Sequence, residues 1–491
     1  MLSYLSETLG ASEAALRLLF SVLFAYPIVI FYRLFLHNNA SVAKKETNHL
    51  VFTICGILIC IFNYGFEVQH SILSVTFTYI IINLLYKSKY LVPVSFIFHM
   101  SYLLIGYYKT STENYDICWT MAHCVMVLHL IGLTFDVNDS VKKPEVLGIT
   151  DSRPYKIPSL LEVFGFAYFP PTVIIGPQFS FKRYYEFTNG KYDVGKDNFK
   201  HGFLRCATGL LYLGIFQLLS IVIVPDSLFL SDEFGDKNFL YKVFLLSLWG
   251  RASLYKYISC WILSEGAAIC AGLTFVSRDE KTGIEDWTGC TNIRLRIFEN
   301  TYKFGDYVAS FNVQTNLWVF NYVYKRLKFL NNKNISHVSA LFFLAVWHGF
   351  HSGYYITFLF EFMLIHFEKE IEPVFKKNPK LQAFLQQGFM PIVVWLILKT
   401  YTFVIAGYCL IPFVYLSFYK WWPIYKKFYF FGHIVIFPMS IVWKPLIVKI
   451  VKIYFPLDKE DKKPENVGNS ENTISSNNQN NDSSIQHDKV N

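Results

Sequence analysis

Long apolar runs separated by short polar ones dominate this chain. Runs at about 14–36, 50–66, 70–86, 91–108 and 117–135 each have a length suited to crossing a bilayer as a helix. The polar segments around them alternate in charge. Residues before 14 lean acidic, Lys44 and Lys45 are basic, Glu67 is acidic, and Lys87 and Lys89 are basic again. Glu113 and Asp116 then mark an acidic loop, and Lys142, Lys143, Arg153 and Lys156 a basic one. Basic loops stay on the cytoplasmic side of a membrane, so this alternation predicts a lumenal N-terminus.

The second half is less regular. Residues 159–176 are apolar but interrupted by Pro170 and Pro171 and closed by Pro177, which predicts a re-entrant or kinked segment. The stretch 178–205, with Lys182, Arg183, Lys191, Lys196, Lys200 and Arg205, reads as a basic cytoplasmic segment. Residues 206–224 then span to an acidic loop holding Asp226, Asp232, Glu233 and Asp236, and 239–275 return as more than one helix. A polar stretch, 276–303, precedes apolar segments at 304–324, 339–360, 389–417 and 426–452. Their parity closes only with one half-length or in-plane segment, expected near 304–335. The pattern predicts an all-α polytopic membrane protein of about 11 transmembrane helices. Residues 1–456 form one domain in this reading. The tail 457–491 is rich in Asn, Ser, Lys and Asp without apolar periodicity and is expected to be disordered. Its basic junction (Lys449, Lys452, Lys459, Lys462, Lys463) favours a cytoplasmic C-terminus. The lack of an internal repeat weighs weakly against a transporter built of inverted halves.

Composition agrees with the pattern. The 491 residues are 53% hydrophobic and 16% charged, against roughly 25% charged in soluble domains. The net charge of +9 does not call for nucleic acid, because the lysines and arginines cluster in short loops. Anionic lipid or an anionic soluble ligand could also use them. Nine cysteines are scattered with no CxxC or zinc spacing, so most are expected to be buried packing residues. Glu7, Glu13 and Arg17 precede the first apolar run and no convincing small-residue cleavage site follows it, so no cleavable signal peptide is expected.

Within this apolar setting a few polar side chains stand out. His348 sits inside the greasy run 341–358, where an imidazole is costly unless it faces protein or a cavity. It reads either as a core histidine bonded to a neighbouring helix or as a functional group. Gly349 and Gly353, four apart on one helix face, allow close approach, most simply of another helix. Upstream, Asn312, Gln314, Thr315 and Asn316 need partners in an apolar surrounding. Asn312 and Asn316 share a face at i, i+4, and either bond neighbouring helices or line a reaction chamber. Glu265 is a second intramembrane charge, paired or facing a cavity. The run Lys325, Arg326, Lys328 is an interfacial anchor or a phosphate-binding patch. His99, His123 and His129 read as interfacial or structural. No phosphate-cradling glycine loop, nucleophile elbow or HExxH is present. One histidine without a nucleophile or metal motif suggests a general base acting on a substrate hydroxyl.

The pairing of Asn312 with Trp347-His348-Gly349, 36 positions from Asn312 to His348, resembles the active-site pair of the membrane-bound O-acyltransferase family. Segments 114–123, 158–163, 176–180, 311–318, 324–330 and 347–354 resemble, in order, its lysophosphatidylcholine acyltransferase branch. The similarity runs from roughly residue 15 to 450. The resemblance implies a multi-helix bundle in the endoplasmic reticulum membrane, enclosing a reaction chamber near mid-membrane. Acyl-CoA would enter from the cytosol as co-substrate, and a lysophospholipid sideways from the bilayer. The implied reaction moves a (poly)unsaturated fatty acyl group onto the sn-2 hydroxyl of lysophosphatidylcholine and related lysophospholipids, and so remodels phospholipids.

On this resemblance His348 is the base, and Asn312 either orients the hydroxyl or donates to the developing oxyanion. Trp347, His351, Tyr354, Asn316, Gln314 and Glu265 are candidates for holding substrate, and Lys325, Arg326 and Lys328 for the CoA phosphates. No metal and no bound cofactor are expected. The oligomeric state stays open, a homodimer included. The chain ends His487-Asp-Lys-Val-Asn491 rather than in a lysine-rich retrieval-type signal, which leaves the retention route open.

Other functions predict different behaviour. A transporter or scramblase would use His348 and Glu265 as a relay and move lipid without acyl-CoA. A protein acyltransferase needs a peptide-sized opening, and sterol or diacylglycerol acylation is a further option. The ordered segments argue against these. His351, three residues along and near the same face, competes with His348 for the role of base.

Overall fold

The computed structural model describes residues 2–37, 42–112, 117–141, 154, 156–193, 195 and 197–457. The charges at Glu113 and Asp116, the basic residues from Lys142 to Arg153, Lys196 and nearly all of the tail lie outside them.

The chain is helical almost throughout. Its first long helices are α1 (Glu13–Phe31), α2 (Val42–Tyr64), α3 (Val68–Leu84), α4 (Leu91–Thr110) and α5 (Trp119–Asp139). A single 3-10 turn, Gly65–Glu67, separates α2 from α3. The proline-interrupted segment forms only the short helix α6 (Leu160–Ala167), opened by a Ser159/Glu162 capping box and followed by buried turns through Pro170 and Pro171. Helix α7 (Asn198–Gln217) continues as a π-helical turn, Leu218–Ile223. Arg205 and Lys200 therefore sit on a helix, so the basic stretch 178–205 runs into the start of α7. Helix α8 (Phe239–Ala271) is one unbroken helix of 33 residues, which corrects the expectation of more than one. No proline interrupts it, Asn238 caps its start, and Gly272 closes it at φ +96°. Its polar residues find partners instead of breaking it. Lys242 donates to the carbonyls of Gly235 (2.9 Å) and Lys427 (2.8 Å). Arg251 pairs with Glu299 and donates to the Tyr307 hydroxyl (3.0 Å).

Residues 276–303 hold a two-stranded antiparallel hairpin, Ser277–Arg278 with Glu285–Asp286. Between 304 and 335 the chain makes only short pieces: Phe304–Ser310, α9 (Val313–Val319), a π turn Phe320–Tyr324 and a 3-10 turn Lys325–Leu330. Left-handed residues bracket this stretch, Asn312 at φ 49° and Asn331 at φ 50°. The segment 339–360 is not one span. It splits into α10 (Lys333–His348) and α11 (Ser352–Lys376). The segment 389–417 corresponds to α12 (Met390–Tyr415). The segment 426–452 is broken, because Tyr429 and Phe430 take positive φ and a π turn follows Pro438.

Six helical segments among the described residues are long and apolar enough to cross a membrane: Glu13–Leu36, Lys45–Leu84, Leu91–Thr110, Trp119–Asp139, Asn198–Leu230 and Met390–Tyr415. Helix α8, charged at Lys242, Arg251, Lys256 and Glu265, and the shorter α10 are not among them.

Helix α8 is the centre of the packing. It lies against α7, α12 and α1. Small residues let the backbones approach: a Cβ on Gly250 would come within 2.4 Å of the Gly407 Cα on α12. One aromatic core, with Phe52, Phe166 and Tyr184, gathers on α2, α6 and the segment after it. A second, with Trp249, Phe360, Tyr408 and Tyr425, lies among α8, α11 and α12. A third joins α5 to α10 through Leu128, Trp318 and Trp347. A cavity opens where these cores meet.

Candidate active site

The cavity has a volume of about 380 Å³. Its wall is mostly aromatic and aliphatic, drawn from α4, α5, α8, the 304–316 segment, α10, α11 and α12, and it includes both His348 and Asn312.

His348 reaches it because its helix stops there. It is the last residue of α10, and Gly349 leaves the helix at φ 123°, ψ −160°. That backbone region is open essentially to glycine alone. The Gly349 N–H still closes the helix by donating to the carbonyls of Ala345 (3.2 Å) and Val346 (3.1 Å). After the break, Gly353 N–H donates to the Leu416 carbonyl at 3.0 Å, tying the start of α11 to the end of α12. A Cβ on Gly353 would lie 1.8 Å from the Pro412 carbonyl oxygen, so this contact needs glycine. Gly349 and Gly353 thus do not share a helix face; one is a break and the other a packing contact.

The His348 ring is held by other rings. Trp347, Tyr354, Phe358 and Phe413 have centroids 4.7, 5.2, 5.7 and 5.2 Å from it. No hydrogen bond to its nitrogens is made among the described residues, so they are open to a ligand in the cavity. Trp347 anchors the helix end by donating from Nε1 to the Cys124 carbonyl of α5 at 3.0 Å. His351 lies across the break, at the N-cap of α11, with Nε2 3.4 Å from the Ser111 hydroxyl. The two histidines are not on one helix face as their spacing suggests, although both line the cavity.

Asn312 is equally placed by a break. It is the left-handed N-cap of α9, so it shares no helical face with Asn316. Its Oδ1 accepts a hydrogen bond from Asn292 Nδ2 at 3.2 Å, and its own Nδ2 has no partner among the described residues. Asn292 is itself clamped. Its Oδ1 accepts from Gln314 N (3.0 Å), its carbonyl from Val313 N (2.9 Å), and its N–H donates to Glu265 Oε2 (3.3 Å). Glu265 also accepts from the Thr291 hydroxyl (2.9 Å) and pairs with Arg205 (3.0 Å). A chain of bonds therefore runs from Arg205 through Glu265 and Asn292 to the Asn312 amide.

The remaining predicted residues divide accordingly. Tyr354 lines the cavity and packs on the His348 ring. Asn316 lines it too, but its Nδ2 is committed to the carbonyls of Val308 (3.1 Å) and Phe311 (2.9 Å). Gln314 is off the wall, with Nε2 on the Thr291 carbonyl (3.2 Å). Glu265 is 2% exposed and off the wall, so the structure makes it a buried ion-pair member and not a cavity group. Lys325, Arg326 and Lys328 are also off the wall. Lys325 sits over the Phe320 ring at 4.7 Å, Arg326 forms a two-pronged pair with Asp139, and Lys328 is exposed. A phosphate site built on these three is not brought together at the cavity. His99, His123 and His129 are buried, not interfacial: His99 bonds Thr78 (2.8 Å), His123 lies 3.4 Å from Ser74, and His129 packs against Phe166 and Phe179.

Sequence reasoning missed Asn292, Thr291 and Arg205 as supports of Asn312. It also missed Glu361, the one acidic side chain on the wall among the described residues. A carboxylate inside the apolar run 354–365 was the available signal for Glu361. Asp197, His201 and Glu285 bring potential metal-ligand atoms within 4.8 Å of one another, away from the cavity wall. There Glu285 Oε2 already accepts from Asp197 N (3.2 Å) and Trp287 Nε1 (3.1 Å).

Similarity to known proteins agrees with this geometry. Residues 104–411 match the model of the membrane-bound O-acyltransferase family. The chain is 42% identical over 445 residues to lysophospholipid acyltransferase 5 of Drosophila melanogaster, covering 89% of this chain and 88% of that one. It is 38% identical over 465 residues to lysophospholipid acyltransferase 5 of Homo sapiens, covering 92% and 94%. It is also 26% identical over 456 residues to membrane-bound glycerophospholipid O-acyltransferase 2 of Gallus gallus, covering 85% and 84%. With its histidine and asparagine on the wall of one cavity, the chain belongs to the membrane-bound O-acyltransferase family and is an acyltransferase.

Proposed function

We propose that this protein transfers a fatty acyl group from acyl-CoA to the sn-2 hydroxyl of a lysophospholipid, remodelling phospholipids of the endoplasmic reticulum membrane. The observation that carries the reading is the meeting of the open His348 ring and the free Asn312 amide nitrogen on one apolar cavity. The relatives named lysophospholipid acyltransferase 5 support the choice of acceptor.

In this reaction a neutral His348 nitrogen takes the proton of the hydroxyl as its oxygen attacks the thioester carbonyl. The Asn312 amide donates to the oxyanion that forms. Collapse of the tetrahedral intermediate breaks the carbon–sulfur bond, and the leaving thiolate takes the proton back from the imidazolium. No covalent acyl-enzyme is needed. The acyl chain is read by apolar walls, which discriminate by only ~1–3 kcal/mol per methylene, so the enzyme prefers some chains without excluding others. The reading includes about eleven spans, a lumenal N-terminus and a cytoplasmic C-terminus.

The test is turnover of purified protein with acyl-CoA and lysophosphatidylcholine, followed as phosphatidylcholine by mass spectrometry. His348→Ala should lower kcat by about 10²–10⁴-fold, and His351→Ala by much less. Undiminished turnover in His348→Ala would remove it as the base.

A further inference from the structure

Among the described residues Glu361 is the one carboxylate on the cavity wall. No lysine or arginine lines the cavity with it among the described residues, and no hydrogen bond or ion pair to its carboxylate is made there. Its titratable neighbour on the wall is the Cys409 thiol of α12, which supplies no positive charge. An ionised carboxylate inside a membrane protein is costly without a counter-charge.

Its position relates it to the reacting groups. Tyr354, Phe358 and Glu361 follow one another at helical spacing on α11, and all three line the cavity. The first two pack on the His348 ring. Glu361 lies three residues beyond Phe358, a rise of about 4.5 Å along the helix. Glu368, two turns further, accepts from the Gly305 N–H (2.8 Å) and so holds the 304–310 helix against α11. That helix brings Phe304 and Tyr307 to the cavity wall. A carboxylate in a cavity walled by aromatic rings and lacking side-chain cations is the chemistry that receives an alkylammonium group.

We propose that Glu361, with these rings, binds the ammonium of a zwitterionic lysophospholipid head group while the sn-2 hydroxyl lies at His348. The proposal rests on the reading of the protein as a lysophospholipid acyltransferase. In such a substrate the nitrogen is separated from the sn-2 carbon by one glycerol carbon, a phosphodiester and a two-carbon arm, so the two groups fall at different depths of one cavity. The absence of lysine and arginine from the wall among the described residues points the same way. A head group bearing only a phosphate charge meets a like charge at Glu361 and no compensation, whereas a zwitterion brings its own.

The experiment supplies purified full-length protein and Glu361→Gln with an acyl-CoA and an equimolar mixture of four lysophospholipids, with choline, ethanolamine, glycerol and inositol head groups. Products are resolved by mass spectrometry. The unaltered protein should favour choline and ethanolamine, and Glu361→Gln should lose about tenfold of that preference. Because the acceptors compete in one tube, the ratio reports only folded enzyme, and partial unfolding cannot imitate the result. An unchanged ratio of choline and ethanolamine products to glycerol and inositol products in Glu361→Gln overturns the proposal, as does an equal loss for all four acceptors. Failure of the unaltered protein to acylate any lysophospholipid would instead overturn the underlying function, and this proposal with it.

Discussion

Asn292 Nδ2 donates to Asn312 Oδ1 across 3.2 Å, which turns the other end of the Asn312 amide, its unpartnered nitrogen, into a donor available to the cavity. Asn292 in turn is fixed by Gln314 N, Val313 N and Glu265. Removing its side chain leaves Asn312 free to rotate.

Asn292→Ala should therefore cost roughly 1–3 kcal/mol of transition-state stabilisation, about 5- to 150-fold in kcat, with little change in KM. Asn292→Asp should do no better, because a carboxylate only accepts and would draw the Asn312 amide nitrogen toward itself. Steady-state kinetics beside a thermal unfolding scan in detergent separates this from loss of fold. A variant with wild-type kcat would show that Asn312 needs no such support.

The helix break at Gly349 makes a different demand. A Cβ there would meet nothing closer than Tyr107 Cδ2 at 3.5 Å, so space is not the obstacle. The obstacle is the backbone at φ 123°, which costs an alanine on the order of 1–3 kcal/mol. Gly349→Ala should lower the thermal midpoint and also lower turnover, because relieving the strain moves the residue beside His348. A variant that is destabilised yet fully active per folded molecule would separate the break from the chemistry.

Apolar length made the helical membrane class legible and set His348 and Asn312 apart as isolated polar residues, but only the family resemblance joined those two as a pair. It did not show how the pair is presented. The run 341–358 looks continuous in hydropathy, and only the φ of Gly349 reveals that one helix ends there and another begins. Asn312 and Asn316 have i, i+4 spacing, but a left-handed Asn312 removes them from a common face. Helix α8 carries Arg251 and Glu265 among its charged residues, and its segment reads as more than one helix. Their partners, Glu299 and Arg205, lie far along the chain, and only tertiary contact reveals that both charges are matched within one unbroken helix. Pairing across tens of residues is invisible to any window of sequence.

The same blindness made Arg326 look like a phosphate ligand. Its guanidinium is engaged by Asp139, whose side chain is 1% exposed, and its Nε donates to the Asn321 carbonyl at 3.3 Å. Arg326→Ala strands a buried carboxylate, and breaking such a pair typically costs ~3–5 kcal/mol. The expected outcome is a large fall in thermal midpoint with the KM for acyl-CoA unchanged in the protein that remains folded. Asp139→Ala with Arg326→Ala should be less destabilised than the sum of the two single variants, the coupling that marks a direct pair. If Arg326 instead holds CoA phosphates, its loss raises that KM in a salt-dependent way, while Asp139→Ala leaves it untouched. Lys328, exposed at the end of the same turn, supplies the control: Lys328→Ala should shift stability by no more than about 0.5 kcal/mol.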